Sequence, residues 1–405
     1  MRPTAAACFI LFGLLVPCAW ADNLWTLTDA QFRSSAIQLD SIDAQGIHPG
    51  GNSAGAAAIS WNNFLDLSRS GPAAVGPASR YDLFLSGGDR ISGEPIGLTD
   101  DKLRWKSPIL GELDLSSNRL VGIARGGAPL QGLEDSRSDD VVRLSNGDMT
   151  HGIVTQISAA GVTLQAADAT PTLAWDAIGA VLFSTPGSPE ANQRRAFRVR
   201  FSDETSITAT QLSLSGGKLK LDLDSKTSRD VDLSAVTSIE QMNGPMSWLT
   251  QHRPVQNIYR PFFAENFPTR FDRSFDGTQT IHERFAQFHH GIGCHSYSKL
   301  VYDLDGTYAA FRTQFVVDSD SPLADVTVRV LLDEKAVVER KNAKAGRIEP
   351  PIVVPLGDGK KLALEVDYGE NYATEGRFAW LDPALLRVMP RSAATEPAAT
   401  SATQP

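Results

Sequence analysis

Apolar and polar residues alternate with a period of two along most of this chain. Clear examples are Val142 with Leu144 and Leu219 with Leu221. Successive side chains of a strand point to opposite faces, so this alternation predicts half-buried β-strands. Glycine-containing turns, such as the one at 146–148, separate the strands and suit hairpins because glycine readily adopts positive φ. The pattern predicts an all-β protein.

One segment recurs four times in the first part of the chain. Gly88 and Gly147 follow similar strands, and Gly93 and Gly152 follow five residues later. Each copy ends in a phrase that suits a polar cap, one helical turn and a final short strand. The repeats resemble SH3-like or Sm-like modules, which implies small barrels of about five strands. The copies occupy residues 22–70, 80–125, 139–184 and 196–242.

A repeat of this size is only marginally stable alone, so we expect the four copies to pack together. Asp89 and Asp148 recur between copies, but a turn-capping role explains them. A structural or adhesive role, with a possible protein partner, is therefore expected for the repeats.

Alternation continues through residues 298–366. Its members predict the strands of a two-sheet β-sandwich, and they are Leu300, Tyr302, Leu304, Phe311, Thr313, Phe315, Val317, Val326, Val328, Val330, Leu332, Leu362, Leu364 and Val366. Residues 245–290 are rich in aromatic residues, Arg and Pro. We expect them to form a linker that wraps the sandwich and supplies an edge strand.

The two ends of the chain carry other signals. Residues 1–21 combine Arg2, an apolar core and an Ala-Trp-Ala cleavage site before Asp22, which predicts a cleaved signal peptide. We therefore expect a secreted, periplasmic or cell-surface protein without membrane insertion. Its mature chain would retain a single cysteine, Cys294. Lipidation at Cys18 is the alternative. Residues 390–405 are low-complexity and predict a disordered tail.

The formal net charge of -9 argues against nucleic acid as a partner, because phosphate binding needs a basic face. A group of histidines, namely His252, His282, His289, His290 and His295, permits two interpretations. They could bind a metal, or they could be surface and loop residues. Helical metal-ligand spacing is missing, and adjacent side chains of a strand point to opposite sides, which favours the second interpretation.

The last part of the chain resembles a known family. Gly291, Gly293, His295 and Ser296 form a Gly-x-Gly-x-His-Ser opening, and the strand at 302–304 reads Tyr-Asp-Leu. With Trp380, these residues resemble the novel putative carbohydrate-binding module family. The resemblance implies a galactose-binding-like jelly-roll β-sandwich at residues 291–389 and a glycan or polysaccharide as partner.

Sugar recognition needs an aromatic platform and hydrogen-bonding groups around it. The expected carbohydrate-binding residues are His295, Tyr297, Glu370, Asn371, Tyr372, Arg377 and Trp380. Trp380 stands in a predicted strand and could equally be a core residue. Asp318 and Asp320 could bind calcium through hard oxygen ligands, although acidic turns usually bind nothing.

Catalytic motifs are missing: no nucleophile elbow, P-loop or dinucleotide fingerprint occurs. Glu370 and Glu375 lie in one predicted loop, where pairing across a cleft cannot be inferred. The sequence predicts a secreted, non-catalytic glycan-binding protein. The alternative is a structural or protein-interaction module of the cell envelope that does not bind sugar.

Overall fold

The structure is a computed structural model. The expected signal peptide at 1–21, the tail at 390–405 and His289 lie outside the residues that it describes. Within those residues, no helix is long and apolar enough to cross a membrane. The described residues are 24–50, 57–71, 73–74, 79–99, 101–127, 137–184, 194–261, 267–275, 281–283, 286–288, 290–372 and 374–387.

Strands dominate the described residues, as the alternation predicts, and four repeats with a common strand path make up the first part. Repeats 1 and 2 contain β1 (Leu24–Asp29), β2 (Ser34–Ile42), β3 (Gly46–Gly50), β4 (Ile59–Ser60), β5 (Phe64–Arg69), β6 (Tyr81–Leu85), β7 (Arg90–Thr99), β8 (Lys102–Ser107), β9 (Gly111–Ser116) and β10 (Leu120–Arg125). Repeats 3 and 4 contain β11 (Asp140–Leu144), β12 (Met149–Ile157), β13 (Gly161–Gln165), β14 (Thr172–Ala174), β15 (Ile178–Leu182), β16 (Ala196–Phe201), β17 (Ser206–Ala209), β18 (Gln211–Ser215), β19 (Lys218–Asp222), β20 (Ser228–Asp232) and β21 (Val236–Met242).

Each repeat bends at its second strand. In repeat 2, the start of β7 pairs with β6, and the rest of β7 pairs with β8. Gly93 lies at this change of partner, where a Cβ would be 2.3 Å from the Lys106 carbonyl oxygen. Gly152 occupies the same place in repeat 3, with the Gln165 carbonyl oxygen at 2.3 Å. The recurring glycines therefore let the bent strands approach closely.

A one-turn 3₁₀ helix precedes the last strand of every repeat, as the sequence predicts. These turns are Trp61–Asn63, Ser117–Arg119, Trp175–Ala177 and Leu233–Ala235. None of the preceding residues makes a side-chain capping hydrogen bond, so the expectation of a polar cap was wrong. The chain re-enters the sheet at once. A buried residue, Trp61, Trp175 or Leu233, fixes the turn in repeats 1, 3 and 4, whereas the turn of repeat 2 contains none.

The turn between the first two strands is also common to all repeats. Its fourth residue has positive φ in each case: 60° at Phe32, 83° at Gly88, 95° at Gly147 and 68° at Glu204. The same residue donates its backbone N–H to the carbonyl group three positions earlier. Glycine is the favoured residue for this conformation, and only the middle two repeats have it.

The repeats share sheets in the spatial order 3, 2, 4, 1. The last strands pair between repeats 2 and 3, through β10 and β15, and between repeats 1 and 4, through β5 and β21. Repeats 2 and 4 meet through the second strands, where Ser206 of β17 pairs with Arg90 of β7. One apolar core runs from Trp25 to Ile239.

The last part is a β-sandwich of two antiparallel sheets. One sheet has the order β24 (Arg270–Phe271), β27 (Gly291–His295), β34 (Arg377–Leu386), β29 (Ala310–Val317) and β32 (Ile352–Pro355), with β22 (Met246–Trp248) also on β34. The other has the order β23 (Gln256–Tyr259), β28 (Ser298–Asp303), β33 (Lys361–Tyr368), β30 (Val326–Leu332) and β31 (Lys335–Ala343). A separate hairpin joins β25 (Ile281–Glu283) to β26 (Ala286–Phe288). The segment expected as a linker thus supplies strands to both sheets.

The sandwich packs against repeat 1. Leu65 of β5 lies in one apolar cluster with Met246, Trp248 and other sandwich residues. Phe32, at the turn of repeat 1, packs against this cluster, and the Arg312 guanidinium lies 3.8 Å from its ring centroid. Repeat 1 therefore uses its first turn as a docking element for the sandwich.

A buried carboxylate lies beside this contact. Glu240 of β21 accepts a hydrogen bond from the Trp248 indole, and His290 Nε2 lies 2.8 Å from its Oε1 atom. The Arg200 guanidinium lies 3.0 Å from Oε2 of Glu240. Burial alone would lower the pKa of His290, but the charge of Glu240 and hydrogen bonds to Asp272 and Glu240 raise this pKa to about 9. The histidine is therefore protonated at neutral pH and pairs with Glu240.

Replacing Gly93 with alanine should destabilise repeat 2. The new Cβ would force the backbone at Lys106 to move, and overpacking of this kind costs about 1–3 kcal/mol. Gly97→Ala in the same strand is the matched control, because its nearest foreign atom would be at 3.5 Å. Chemical denaturation checks this. Equal losses of unfolding free energy in the two variants would contradict the close-approach argument.

Replacing His290 with glutamine should destabilise the contact between repeats and sandwich in a pH-dependent way. Removing one partner of a buried ion pair costs about 3–5 kcal/mol. A raised histidine pKa stabilises the fold fully below the unfolded value near 6.5, and this contribution is lost as the pH rises through about 9. Wild type should therefore exceed His290→Gln in stability at pH 6 by much more than at pH 10. A pH-independent difference, measured by denaturation, would contradict this.

Candidate functional site

Three loops meet at one end of the sandwich. They connect β27 to β28, β29 to β30, and β33 to β34. Their backbones are bonded to one another: the Ser296 N–H donates to the Gly376 carbonyl group, and the Asp318 N–H donates to the Arg377 carbonyl group. Most of the residues that the sequence predicts as ligands lie in or beside these loops.

The pairing of β27 with β34 sets the base of this end. His295 lies opposite Arg377, and Cys294 lies opposite Phe378. Beyond this pair, Gly376 packs so closely on the first loop that a Cβ would be 2.0 Å from the Ser296 hydroxyl oxygen. The third loop therefore begins its path directly against the first.

The third loop is a compact turn rather than an extended segment. Gly369 and Tyr372 form an isolated β-bridge, and the Thr374 N–H donates to the Asn371 carbonyl group. Tyr372 has φ of 54°, which is uncommon for a residue with a large side chain. Its side chain is 64% exposed, the largest exposed fraction among the large apolar and aromatic residues of the described chain.

Leu323 ties the second loop to both sides of Tyr372. Its carbonyl group accepts a hydrogen bond of 2.9 Å from the Asn371 side-chain amide, and its N–H donates to Oε2 of Glu375 at 2.9 Å. The Leu323 side chain is itself 57% exposed. Sequence reasoning missed this residue, because the second loop drew attention only through its aspartates.

Two of the predicted contact residues are buried instead. Trp380 is 1% exposed and packs edge-on against Phe378 in the sandwich core, so its assignment to the binding surface was wrong. His295 is also buried, and its ring stacks on Phe267 with centroids 4.6 Å apart. Its Nδ1 atom lies 2.8 Å from the Ser296 carbonyl oxygen. His295 supports the loops from beneath and does not form their surface, which corrects the second assignment.

Tyr297 lies beside the exposed turn. Its hydroxyl group donates to Oε2 of Glu365 at 3.2 Å, and the Arg260 guanidinium lies 5.4 Å from its ring centroid. Burial, followed by the charge of Glu365, raises the pKa of Tyr297 to about 12, so its hydroxyl group stays protonated. Tyr368 is close by, with its ring centroid 6.3 Å from that of Tyr297.

The remaining polar residues predicted to contact the sugar differ in their exposure to solvent. Glu370 and Asn371 are exposed, and Arg377 is half-buried with its guanidinium 5.3 Å from the Phe275 ring centroid. The structure therefore brings Glu370, Asn371, Tyr372 and Arg377 to one end of the sandwich.

The proposed calcium ligands lie in the second loop. Oδ1 of Asp318 accepts the Asp320 N–H at 2.8 Å, so this carboxylate shapes its own turn. Across the described residues, no group of three or more His, Cys, Asp or Glu side chains is arranged to hold a metal. Two carboxylates alone fall short of the six to eight oxygen ligands that calcium takes.

The described side chains of the predicted histidine group, which are those of His252, His290 and His295, have different partners. His252 Nε2 lies 2.9 Å from the Ser247 hydroxyl group, His290 pairs with Glu240, and His295 stacks on Phe267. Loop and surface positions, the interpretation favoured by the sequence, do not fit His290 and His295, which are buried.

Comparison with known proteins finds one protein-family model that matches this part of the chain. The model of the NPCBM/NEW2 domain family matches residues 247–386, about a third of the chain. The match includes most of the segment expected as a linker. A search of curated proteins found no match.

Several solved structures are similar. CBM51 from Clostridium perfringens GH95, in complex with methyl-galactose, is 22% identical over 35% of this chain and 99% of that chain, with a TM-score of 0.31. The tandem CBM51 modules of the Streptococcus pneumoniae family 98 glycoside hydrolase are 11% identical over 75% of this chain and 87% of that chain, with a TM-score of 0.30. The M60 catalytic domain with two CBM51 domains from Clostridium perfringens ZmpB is 12% identical over 78% of this chain and 32% of that chain, with a TM-score of 0.32.

Proposed function

We propose that this is a secreted, non-catalytic protein that binds a glycan at the loop end of its sandwich. The observation that carries the proposal is the exposed aromatic ring of Tyr372, which is held on a hydrogen-bonded turn with polar side chains on either side. The NPCBM/NEW2 match to this part of the chain supports a carbohydrate-binding role.

The groups around Tyr372 have the chemistry that a sugar requires. An aromatic face packs on the apolar face of a pyranose ring, and nearby polar groups bond to its hydroxyl groups. Leu323 adds a second exposed apolar side chain, since its backbone is bonded to Asn371 and Glu375 on either side of Tyr372. Glu370 supplies hydrogen-bond acceptors, and Arg377 supplies donors.

Backbone strain gives a further reason to assign Tyr372 a role. A non-glycine residue in the left-handed region costs about 1–2 kcal/mol. Strained residues of this kind cluster at ligand-binding sites, where the surrounding structure holds them in place. Asparagine would suit the backbone of this turn better than tyrosine. A tyrosine at this strained position therefore supports a functional role for its exposed ring.

The carboxylates of this loop do not suit glycoside hydrolysis. Glycosidases place two carboxyl groups on opposite sides of the scissile bond. Glu370 and Glu375 belong to a single turn, and Glu375 already accepts the Leu323 N–H. This favours binding without turnover. The sequence signal at residues 1–21 supports a location outside the cytoplasm.

Replacing Tyr372 with asparagine should abolish glycan binding while the chain stays folded. Asparagine tolerates positive φ, so the backbone of the turn can be kept. The wild-type chain from residue 22 onward should migrate more slowly in a native gel that contains a glycan with the cognate sugar than in a gel without glycan. The Tyr372→Asn variant should migrate equally in both gels. Galactose-, N-acetylglucosamine- and glucose-containing polysaccharides serve as probes.

Two control variants sharpen this test. Tyr372→Phe keeps the aromatic face and should keep most of the retardation. Val337→Asn removes an exposed apolar side chain on β31 and should bind as wild type does. Retardation of Tyr372→Asn equal to wild type would overturn the assigned site. No retardation on any probe, with or without EDTA, would favour the alternative, a protein-interaction module of the cell envelope.

A further inference from the structure

Charged side chains from repeat 1, repeat 4 and the sandwich meet at the contact between the repeats and the sandwich. Glu240 of β21 and Asp66 of β5 are direct cross-strand neighbours, so their side chains share one face of the sheet. From the sandwich, His290 Nε2 lies 2.8 Å from Oε1 of Glu240, and the Asp382 N–H donates to the His290 carbonyl group at 3.0 Å. The other charged groups that face these four residues, and that complete what is here called the charged cluster, are Asp272, Arg198, Arg200 and Arg312.

The apolar part of this contact is small on the side of the repeats. Among the described residues, the repeats contribute the buried Leu65 and the half-buried Ala30 and Phe32 to the shared apolar cluster. Phe32 also carries the Arg312 guanidinium over its ring. Since little apolar surface joins the two parts, the strength of the contact depends on the charges beside it.

Two carboxyl groups of the charged cluster resist ionisation. Burial raises the pKa of Asp382 to about 6 despite the nearby charges of His290 and Arg312, and the charges of Asp66 and Glu240 add to the rise. Burial also raises the pKa of Asp66 to about 6, with the charge of Glu240 acting in the same direction. A raised carboxyl pKa stabilises the closed contact fully below the usual value of 3.8, and this contribution is lost as the pH rises through about 6.

His290 acts in the same direction at higher pH. Its raised pKa means that its contribution is lost as the pH rises from its usual value of 6.5 through about 9. Loss of its proton leaves an excess of negative charge in the charged cluster, because Asp66, Glu240, Asp272 and Asp382 then face only Arg198, Arg200 and Arg312. All three titrating groups therefore weaken the contact as the pH rises.

We propose that the charged cluster is a pH-sensitive latch that holds the sandwich on the repeats in acidic surroundings and loosens as the pH rises. The apolar part of the contact lies at the end of β34 that carries Ala384 and Leu386, whereas Arg377 and the candidate loops lie at the other end. Loosening of the latch therefore leaves the loops intact and changes the direction in which they face. The inference does not depend on the proposed glycan binding.

Hydrogen–deuterium exchange of the chain from residue 22 onward, corrected for the intrinsic pH dependence of exchange, tests the latch. Residues 28–34 and 244–252 form the contact, and their protection should fall at least about tenfold between about pH 5 and about pH 9.5. Residues 218–222 and 361–366 lie in β19 and β33, away from the charged cluster, and their protection should change far less. Contact protection that does not depend on pH, or an equal loss in these two reference strands, would overturn the proposal.

Replacing Asp382 with asparagine assigns the pH dependence to the charged cluster. Asp382 has φ of 44°, which asparagine tolerates, so the backbone can be kept. Because Asp382→Asn has no proton to lose at this position, its contact should exchange more slowly than that of wild type at about pH 7.5, with a smaller difference at about pH 5. Asp333→Asn is the matched control: Asp333 has φ of 48° on an exposed turn of the sandwich, and its variant should exchange as wild type does.

Asp66→Asn repeats the test from the side of the repeats. The asparagine side chain keeps an oxygen that can accept the hydrogen bond from the Ser68 hydroxyl group, and it removes the charge. The variant should slow exchange at the contact at about pH 7.5, as Asp382→Asn does. If both variants followed wild type at every pH, the proposal would be overturned.

Discussion

The register between β27 and β34 determines both the core and the candidate site of the sandwich. The pairing of Ile292 with Trp380 places the tryptophan inside, and the pairing of His295 with Arg377 ends the ladder where the loops begin. Because side chains alternate between faces, a slip of one residue would move Trp380 out of the core to the face where Ala379 and Leu381 pack, and would turn Arg377 towards the core. The position of Tyr372 follows from this register, since its turn begins on β33 and returns to β34.

The contact between the sandwich and the repeats combines apolar packing with a buried charge. Leu65, Met246 and Trp248 provide the apolar part, and the pair of Glu240 with His290 provides the charged part. A buried ion pair adds little net stability compared with apolar residues of the same size, but each partner needs the other. Such a pair favours one orientation between the two parts, so the glycan site would be presented at a defined angle to the repeats.

The sequence predicts strands and repeats well because both depend on local patterns. The middle repeats were clear since Gly88 and Gly147 mark their turns, whereas Phe32 and Glu204 take the same positive φ in the outer repeats. Those residues depart from the pattern while making contacts: Phe32 packs against the sandwich, and Glu204 pairs with Arg90. The order of the repeats in space depends on strand edges far apart in sequence, which local patterns do not specify. At the candidate site, the sequence named Tyr372, which the structure shows to be exposed. Alternation could not tell a core tryptophan from a binding tryptophan, and Leu323 carried no signal.

The central claim is that a glycan binds at the loops around Tyr372. Hydrogen–deuterium exchange of the wild-type chain, with and without a polysaccharide that retards it, tests this claim most directly. The account predicts slower exchange in residues 318–325 and 367–377, with unchanged exchange in the four repeats. Protection confined to the repeats, or to the opposite end of the sandwich, would contradict it.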